Sequence, residues 1–160
     1  MGYIPEDAHW YLADLVEEVT VEGDPRNVVH TNMILIRADS PEEAYEKSME
    51  LGKSSEISYP NSAGRQVTIK FRGLHQLNVI HDQLEHGAEL TYDEDIGMSE
   101  DEISRWLSPK EELGVFAPRL WSPSSGPDYA AGEIMTELRE RFPDLEEFQP
   151  GNPKSSDKVN

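Results

Sequence analysis

The segment from Asn27 to Gly52, NVVHTNMILIRADSPEEAYEKSMELG, constrains the fold most, because a β-rich run passes directly into a helix with signals at both ends. Ser40 is the predicted N-cap, and Glu43, three residues later, completes a capping box with it. Pro41 suits the first helical position, where its missing N–H has no partner to lose. Gly52 suits a left-handed stop. The sequence therefore predicts a strand–helix joint in a small α+β domain.

The predicted helix, Pro41 to Leu51, has one face to bury. Apolar and small residues recur at spacings of three and four, whereas charged residues occupy the opposite side. The residues of the apolar face are Ala44, Tyr45, Ser48, Met49 and Leu51. A β-sheet is the expected partner of such a helix.

The strand before this helix, Val28 to Arg37, is apolar on both faces. Its apolar residues are Val28, Ile34 and Ile36 on one face and Val29, Met33 and Leu35 on the other. That pattern favours a central strand covered on both sides. The second face of the sheet then needs a cover, which the second predicted helix or a twin subunit would supply.

Four further strands are predicted from alternating apolar residues and turn signals. Trp10 to Glu22 forms a hairpin with the strand before the helix, joined by the turn GDPRN. Glu56–Tyr59 and Val67–Phe71 form a second hairpin. Ala88–Ile96 is a fifth strand, and the segment Leu74–Ile80 fits either a loop or a strand over Leu77–Ile80.

A second helix is predicted from Ser99, which forms a capping box with Glu102. Ile103, Trp106 and Leu107 give this helix an apolar face. The predicted order is β-β-α-β-β-β-α. This is an α+β class with an antiparallel sheet of about five strands and one main helix on a face, of the ferredoxin-like or swapped-hairpin type.

The chain divides into four predicted segments by composition. Residues 8–116 form the α+β domain, and residues 117–128 form a linker rich in Pro, Ser and Gly. Residues 129–148 fit an amphipathic tail helix. The polar residues 149–160 predict a disordered tail.

Composition narrows the class of protein. The 160 residues include no cysteine, which excludes disulfides, thiol catalysis and thiolate metal sites. Because 32 acidic residues stand against 14 basic ones, for a net charge of −18, direct binding to nucleic acid or an anionic membrane is disfavoured, whereas a basic protein partner is compatible. The first ten residues lack the pattern of a signal peptide, so a cytoplasmic location is expected.

The strand–helix joint and the strand before it resemble a bacterial domain-of-unknown-function family, number 4288. Its members open with a Trp-Tyr strand and then carry the pattern I-x-A-D/E-S-P-E-E-A-Y-x-K-A-x-x-x-G. The matching residues here are Trp10, Tyr11, Ile36, Ala38, Asp39, Ser40, Pro41, Glu42, Glu43, Ala44, Tyr45, Lys47 and Gly52, with Ser48 at the usual Ala. The resemblance covers residues 10–116 and implies a fold, with no activity and no site residues attached to it.

One cluster has the residue types of a metal site. The candidate ligands are His75, His81, Asp82, Glu85 and His86. Imidazole and carboxylate groups suit zinc, iron or manganese. However, His81 and His86 are five residues apart, a spacing that does not place both on one face of a helix. A polar loop with surface histidines explains the segment equally well, so a metal-dependent hydrolase is kept as the alternative function.

An acidic stretch is the second candidate site. Its carboxylates are Glu89, Asp93, Glu94, Asp95, Glu100, Asp101 and Glu102. The spacing does not fit a calcium-binding loop. Such a stretch accelerates association with a basic protein, but it also serves helix capping and solubility.

No phosphate-binding Gly-rich loop or G-x-S-x-G elbow is present in the sequence, so an enzyme is not favoured. The leading hypothesis is a non-enzymatic, acidic protein-interaction module without a cofactor, an antitoxin, immunity or adaptor-type partner of a basic protein. It would bind through its sheet edge or through the acidic stretch, and a homodimer is compatible with it. The other alternative is a dimer that binds a small ligand.

Overall fold

A computed structural model describes residues 4–116, 126–133 and 140 of the chain. The elements, in chain order, are β1 Trp10–Val21, β2 Val28–Arg37, α1 Pro41–Ser54, β3 Ile57–Pro60, β4 Gln66–Val79, α2 Glu100–Trp106 and a 3₁₀ turn at Lys110–Glu112. The described residues form two compact units. Residues 4–90 and 126–133 belong to the first unit, and residues 91–116 form the second.

Some of the predicted segments lie partly or wholly outside the described residues. Within the predicted linker 117–128, residues 117–125 lie outside the described part of the chain. The same holds for most of the predicted tail helix 129–148 and for the whole predicted tail 149–160. These segments stay predictions.

The described residues form a sheet of four antiparallel strands in the order β2-β1-β4-β3. Two hairpins lie side by side, joined through β1 and β4, so the predicted α+β class with an antiparallel sheet is confirmed. Within the described part of the chain the strand count is four rather than about five, because Ala88–Ile96 contains no strand. Acidic residues fill this segment between its apolar positions, and Asp and Glu are depleted in strands.

The prediction that β2 is the central strand is wrong, because β2 lies at the outer edge of the sheet. The central position beside it belongs to β1, in which Tyr11, Leu12 and Ala13 are all buried. The other side of β1 is occupied by β4, which continues through residues 74–79 as one 14-residue strand. A long β4 can pair along the whole of β1, and that leaves β2 outermost.

The N-terminus of α1 is capped nearly as predicted. The hydroxyl of Ser40 accepts the N–H of Glu43 at 3.1 Å. The carboxylate of Glu43 reaches back to the N–H of Asp39 at 2.8 Å, one residue before the expected donor. The ion pair with Lys47, together with this N–H, lowers the pKa of Glu43.

The C-terminal stop predicted at Gly52 is wrong, because α1 continues to Ser54. A Cβ at position 52 would lie 2.3 Å from the ring of Phe71, so glycine is needed here for close approach and not for a turn. The buried stripe of α1 consists of the small residues Ala44, Ser48 and Gly52. This stripe brings the helix close against the sheet.

One face of the sheet is covered by two different segments. At one end, Ala44 of α1 packs in a cluster with Tyr11 and Ile36. At the other end, Tyr129 packs against a cluster that contains the buried residues Val19 and Val67. Residues 126–133 therefore complete the cover that α1 begins.

Candidate interaction surfaces

The outer edge of β2 presents free backbone groups. The N–H of Ala38 donates to the C=O of His9, and the N–H of Ile80 donates to the C=O of Trp10. Because hydrogen-bonded and non-bonded pairs alternate in an antiparallel ladder, even-numbered residues of β2 bond to β1. The odd-numbered residues of β2 therefore direct their N–H and C=O groups away from the sheet, where no strand among the described residues meets them.

The same residues carry exposed apolar side chains. Since side chains alternate along a strand, Val29, Met33 and Leu35 share one face. Their side chains are 56%, 65% and 46% exposed. The free backbone groups and the exposed apolar side chains thus belong to one set of residues.

This edge lacks the protection that natural sheet edges carry. Lysine, proline, bulges and covering segments normally prevent one edge from pairing with another. The run Val28–Ile36 contains no Lys, Arg, Asp, Glu or Pro, and β2 pairs with β1 at ten consecutive positions. The Nζ of Lys47 donates to the C=O of Arg37 at 2.8 Å, so the edge is guarded at that end.

A groove runs beside the guarded end of β2. Its volume is about 440 Å³. It is lined by Leu35, Ile36 and Arg37 of β2 and by Lys47, Glu50, Leu51 and Ser54 of α1. Leu51 is half exposed here, so the groove extends the apolar surface from the strand edge onto the helix.

The opposite edge of the sheet, at β3, is built differently. This strand has four residues and ends at Pro60. The next residue, Asn61, forms a β-bridge with Ala131 and donates from Nδ2 to the C=O of Asp128 at 2.8 Å. The hydroxyl of Tyr59 donates to the backbone of residue 129. Residues 126–133, here called the C-terminal segment, therefore cover this edge at its Tyr59–Asn61 end, whereas Ile57 and Ser58 are exposed.

The candidate metal ligands are distributed over a strand and a loop. His75 lies in β4, where the register with β1 shifts, and the other four lie in the loop after β4. All five candidate metal ligands are exposed, namely His75, His81, Asp82, Glu85 and His86. A carboxylate oxygen of Asp82 accepts the N–H of Glu89 at 2.9 Å. Within the described residues, no three His, Asp or Glu side chains come together as a metal site.

The acidic stretch is divided between the two units. Glu89 belongs to the first unit and the other six carboxylates to the second, and all seven are exposed. The predicted capping box of α2 is confirmed: Glu102 accepts the N–H of Ser99 at 2.8 Å, and Ser99 accepts the N–H of Glu102 in return. The hydroxyl of Ser99 also donates to the carboxylate of Glu102 at 2.7 Å, and this bond, together with the N–H of Ser99, lowers the pKa of Glu102.

The apolar face predicted for α2 is exposed. Ile103, Trp106 and Leu107 are all open to solvent, and no residue in the described range 91–116 is buried. An apolar face at helical spacing normally indicates a helix packed on a core. Here the same spacing gives an exposed apolar patch between acidic residues.

The outer edge of β2 is the surface that the sequence interpretation missed. An apolar run on both faces is typical of a buried central strand, but it also suits an edge strand that pairs with a partner. The position of β2 in the sheet follows from residues 74–79. If these residues are interpreted as strand, β4 is long enough to pair along β1 and to occupy the inner position.

No helix among the described residues is long and apolar enough to cross a bilayer. The model of the family described as "Domain of unknown function (DUF4288)" matches residues 10–92, just over half of the chain. No curated protein and no solved structure matches the chain. The family match includes the whole four-stranded sheet and α1 and ends before α2.

Proposed function

The chain belongs to the DUF4288 family, and from that premise we propose that it is a non-enzymatic protein-interaction module that receives an extended strand of its partner along β2. The observation that carries the proposal is the unguarded outer edge, where Val29, Met33 and Leu35 combine exposed side chains with free backbone groups. The proposal keeps the cytoplasmic location expected from the sequence.

Strand addition matches the chemistry of this edge. Main-chain hydrogen bonds supply affinity in such complexes, and alternate side chains supply specificity. Covering the exposed half of each apolar side chain contributes roughly 1 kcal/mol. The groove beside Leu51 offers a further apolar contact for a side chain of the added strand.

The alternatives have less support from the geometry. The candidate metal ligands are spread along β4 and its following loop, and Asp82 already accepts a backbone N–H. The groove is of a size that small ligands occupy, but it lies along a strand edge and is open beside it. A strand laid along β2 would use the same surface.

Site-specific photo-crosslinking tests the proposal. A benzophenone amino acid replaces Met33 in one variant and Ile57 in a matched control, because Ile57 lies on the other outer strand and is 55% exposed. In native lysate, a discrete adduct is expected at position 33 and not at position 57. The adduct should disappear when Thr31→Pro is added, since proline removes an outward N–H. Absence of an adduct at position 33, or equal adducts at both positions, would contradict the proposal.

A second surface supports the expected basic partner. Ile103, Trp106 and Leu107 present an exposed apolar patch at helical spacing, flanked by Glu100 and Asp101. Amphipathic helices bind apolar grooves through residues at this spacing, and flanking acids favour a groove with a basic rim. A partner bound here should be retained at low salt, released at high salt and lost in Trp106→Ala. Retention unchanged by salt or by Trp106→Ala would remove this candidate.

A further inference from the structure

We propose that the strand received along β2 is β2 of a second copy of this chain, so that two sheets join into one eight-stranded antiparallel sheet about a two-fold axis. This inference rests on the proposed function of the β2 edge and names its partner. It follows from the charge distribution, the symmetry of the strand and the position of Lys47.

Charge selects this strand as the place where two copies can meet. Each copy carries a net charge of −18, so a contact between acidic surfaces is opposed by repulsion. The segment Pro25–Ala38 contains no acidic residue and includes Arg26 and Arg37, in a chain with 32 acids among 160 residues. Joining two copies through β2 therefore pairs two strands that carry no carboxylate. The carboxylates beside the contact are those of Glu17, which accepts from Asn32 Nδ2, and of Glu50 in the groove.

An antiparallel strand pairs with its own copy without any mismatch in length. A two-fold contact is self-complementary, because each residue i that meets residue j is matched by j meeting i. The ten residues of β2 span roughly 33 Å at about 3.3 Å per residue. The whole apolar edge of one copy can therefore be covered by the same edge of the other.

The position of Lys47 sets the register. Its Nζ occupies the C=O of Arg37, so the groups free to pair run from Val29 to Leu35. Pairing centred on Asn32 uses all of them: Val29 exchanges hydrogen bonds with Leu35 of the second copy, and Thr31 does so with Met33. Each of these pairs occurs twice across the axis.

This register also covers the exposed apolar side chains. Val29 lies directly opposite Leu35 of the second copy, and Met33 lies opposite the methyl-bearing side chain of Thr31. Ile36, which lines the groove, lies opposite Val28 of the second copy, so the added strand passes the groove end of β2. The three exposed residues and the groove thus belong to a single contact.

The molar mass in solution is the first test. Light scattering is expected to give twice the chain mass of 18.1 kDa for the wild-type protein. Met33→Asp places a charge in the contact of both copies, and roughly a tenfold loss per copy raises the dissociation constant by ~100-fold. The matched control Ile57→Asp, on the β3 edge, should leave the dimer mass unchanged. A monomer mass for the wild-type protein at roughly 1 mM overturns the proposal.

A cysteine scan tests the register, because the chain contains no cysteine of its own. In the proposed register, Asn32 meets Asn32 of the second copy in a non-hydrogen-bonded pair, with Cα atoms ~4.5 Å apart. Oxidised Asn32→Cys is therefore expected to form a disulfide-linked dimer, whereas Val29→Cys, which faces Leu35, is not. Efficient crosslinking of Val29→Cys, or none of Asn32→Cys in a dimeric sample, would overturn the register and with it the argument from Lys47.

Salt and lysate separate failure of this proposal from failure of the proposed function. Added salt should tighten the association of two acidic copies, whereas it should weaken binding to a basic protein. If the pure protein is monomeric but position 33 still crosslinks to another protein, the second copy is excluded and strand addition stands. If neither association occurs at position 33, both proposals fail.

Discussion

The two edges of the sheet are built on opposite plans. At β3 the strand is four residues long, ends at Pro60 and is followed by Asn61, which pairs with the C-terminal segment. At β2 the strand is ten residues long and apolar, and its guard is Lys47 at one end. Because a long, apolar, exposed edge invites pairing with another chain, the contrast favours β2, and not β3, as the edge for the proposed association.

The first prediction uses the alternation of backbone direction along β2. Asn32→Pro removes an N–H that bonds to β1 and leaves the C=O of Leu15 unsatisfied, so the free energy of unfolding should fall by about 3 kcal/mol. Thr31→Pro removes an outward N–H and should leave the monomer's unfolding free energy within ~0.5 kcal/mol of wild type. Urea titration measures both variants. Equal loss in the two would mean that the outer edge of β2 is already paired within the chain.

The second prediction removes the contact between the β3 edge and the C-terminal segment. Asn61 is buried, donates to the C=O of Asp128 and accepts the N–H groups of Ala63 and Arg65. Asn61→Ala should cost about 2 kcal/mol, because buried backbone groups lose their partner, and should expose residues 126–133 to protease. Ser62→Ala is the comparison, because it removes only the exposed hydrogen bond from the Ser62 hydroxyl to the Asp128 carboxylate; it should cost about 0.5 kcal/mol, well below Asn61→Ala. Unchanged protease resistance in Asn61→Ala would show that the C-terminal segment does not depend on this contact.

The third prediction transfers protection from one edge to the other. Met33→Lys places the usual guard of an edge strand at the centre of β2. The side chain is 65% exposed, so the thermal stability of the monomer should barely change, while association through β2 is lost. Sedimentation at several concentrations checks the association and a thermal melt checks the fold. A large drop in Tm would mean that Met33 is packed within the monomer.

The fourth and smallest effect concerns Lys47, which protects one end of the β2 edge. Lys47 bonds both Glu43 and the C=O of Arg37, and the ion pair lowers the pKa of Glu43 below 4.5 in the folded state. The unfolded chain then binds more protons as the pH falls, so this contribution is fully present above about pH 4.5 and is lost as the pH falls through the folded pKa. The difference in Tm between wild type and Glu43→Gln should shrink over that range. A difference that is constant from pH 7 to the acid limit would contradict it.

Local signals in the sequence predict α1 and α2 well. The caps at Ser40 and Ser99 and the first-turn acids depend on neighbours within three residues, so their positions follow from the sequence alone. The place of β2 in the sheet depends on a competitor forty residues away, and only the full length of β4 decides it. Gly52 shows the same limit, because glycine is needed there to make room for the ring of Phe71, which lies on β4.

The candidate interaction surfaces also show the difference between what local sequence predicts and what distant residues decide. Sequence patterns located the apolar residues of β2 and of α2 and predicted that each would be buried, because apolar periodicity reports what prefers cover and not what supplies it. In the structure Met33 and Trp106 are both exposed. The sequence predicts a twin subunit as one possible cover for an apolar face of the sheet; the proposal above places a second copy at the β2 edge instead.

Amide hydrogen exchange along β2, measured at low and high protein concentration, tests the central claim most directly. In the monomer, the amides of Thr31 and Met33 should exchange quickly while those of Asn32 and Ile34 are protected by β1. At high concentration Thr31 and Met33 should become protected, and Ser58 on β3 should not change. Protection of all four β2 amides in the dilute monomer, or fast exchange of Thr31 and Met33 at every concentration, would contradict an open edge that closes by pairing with a second strand.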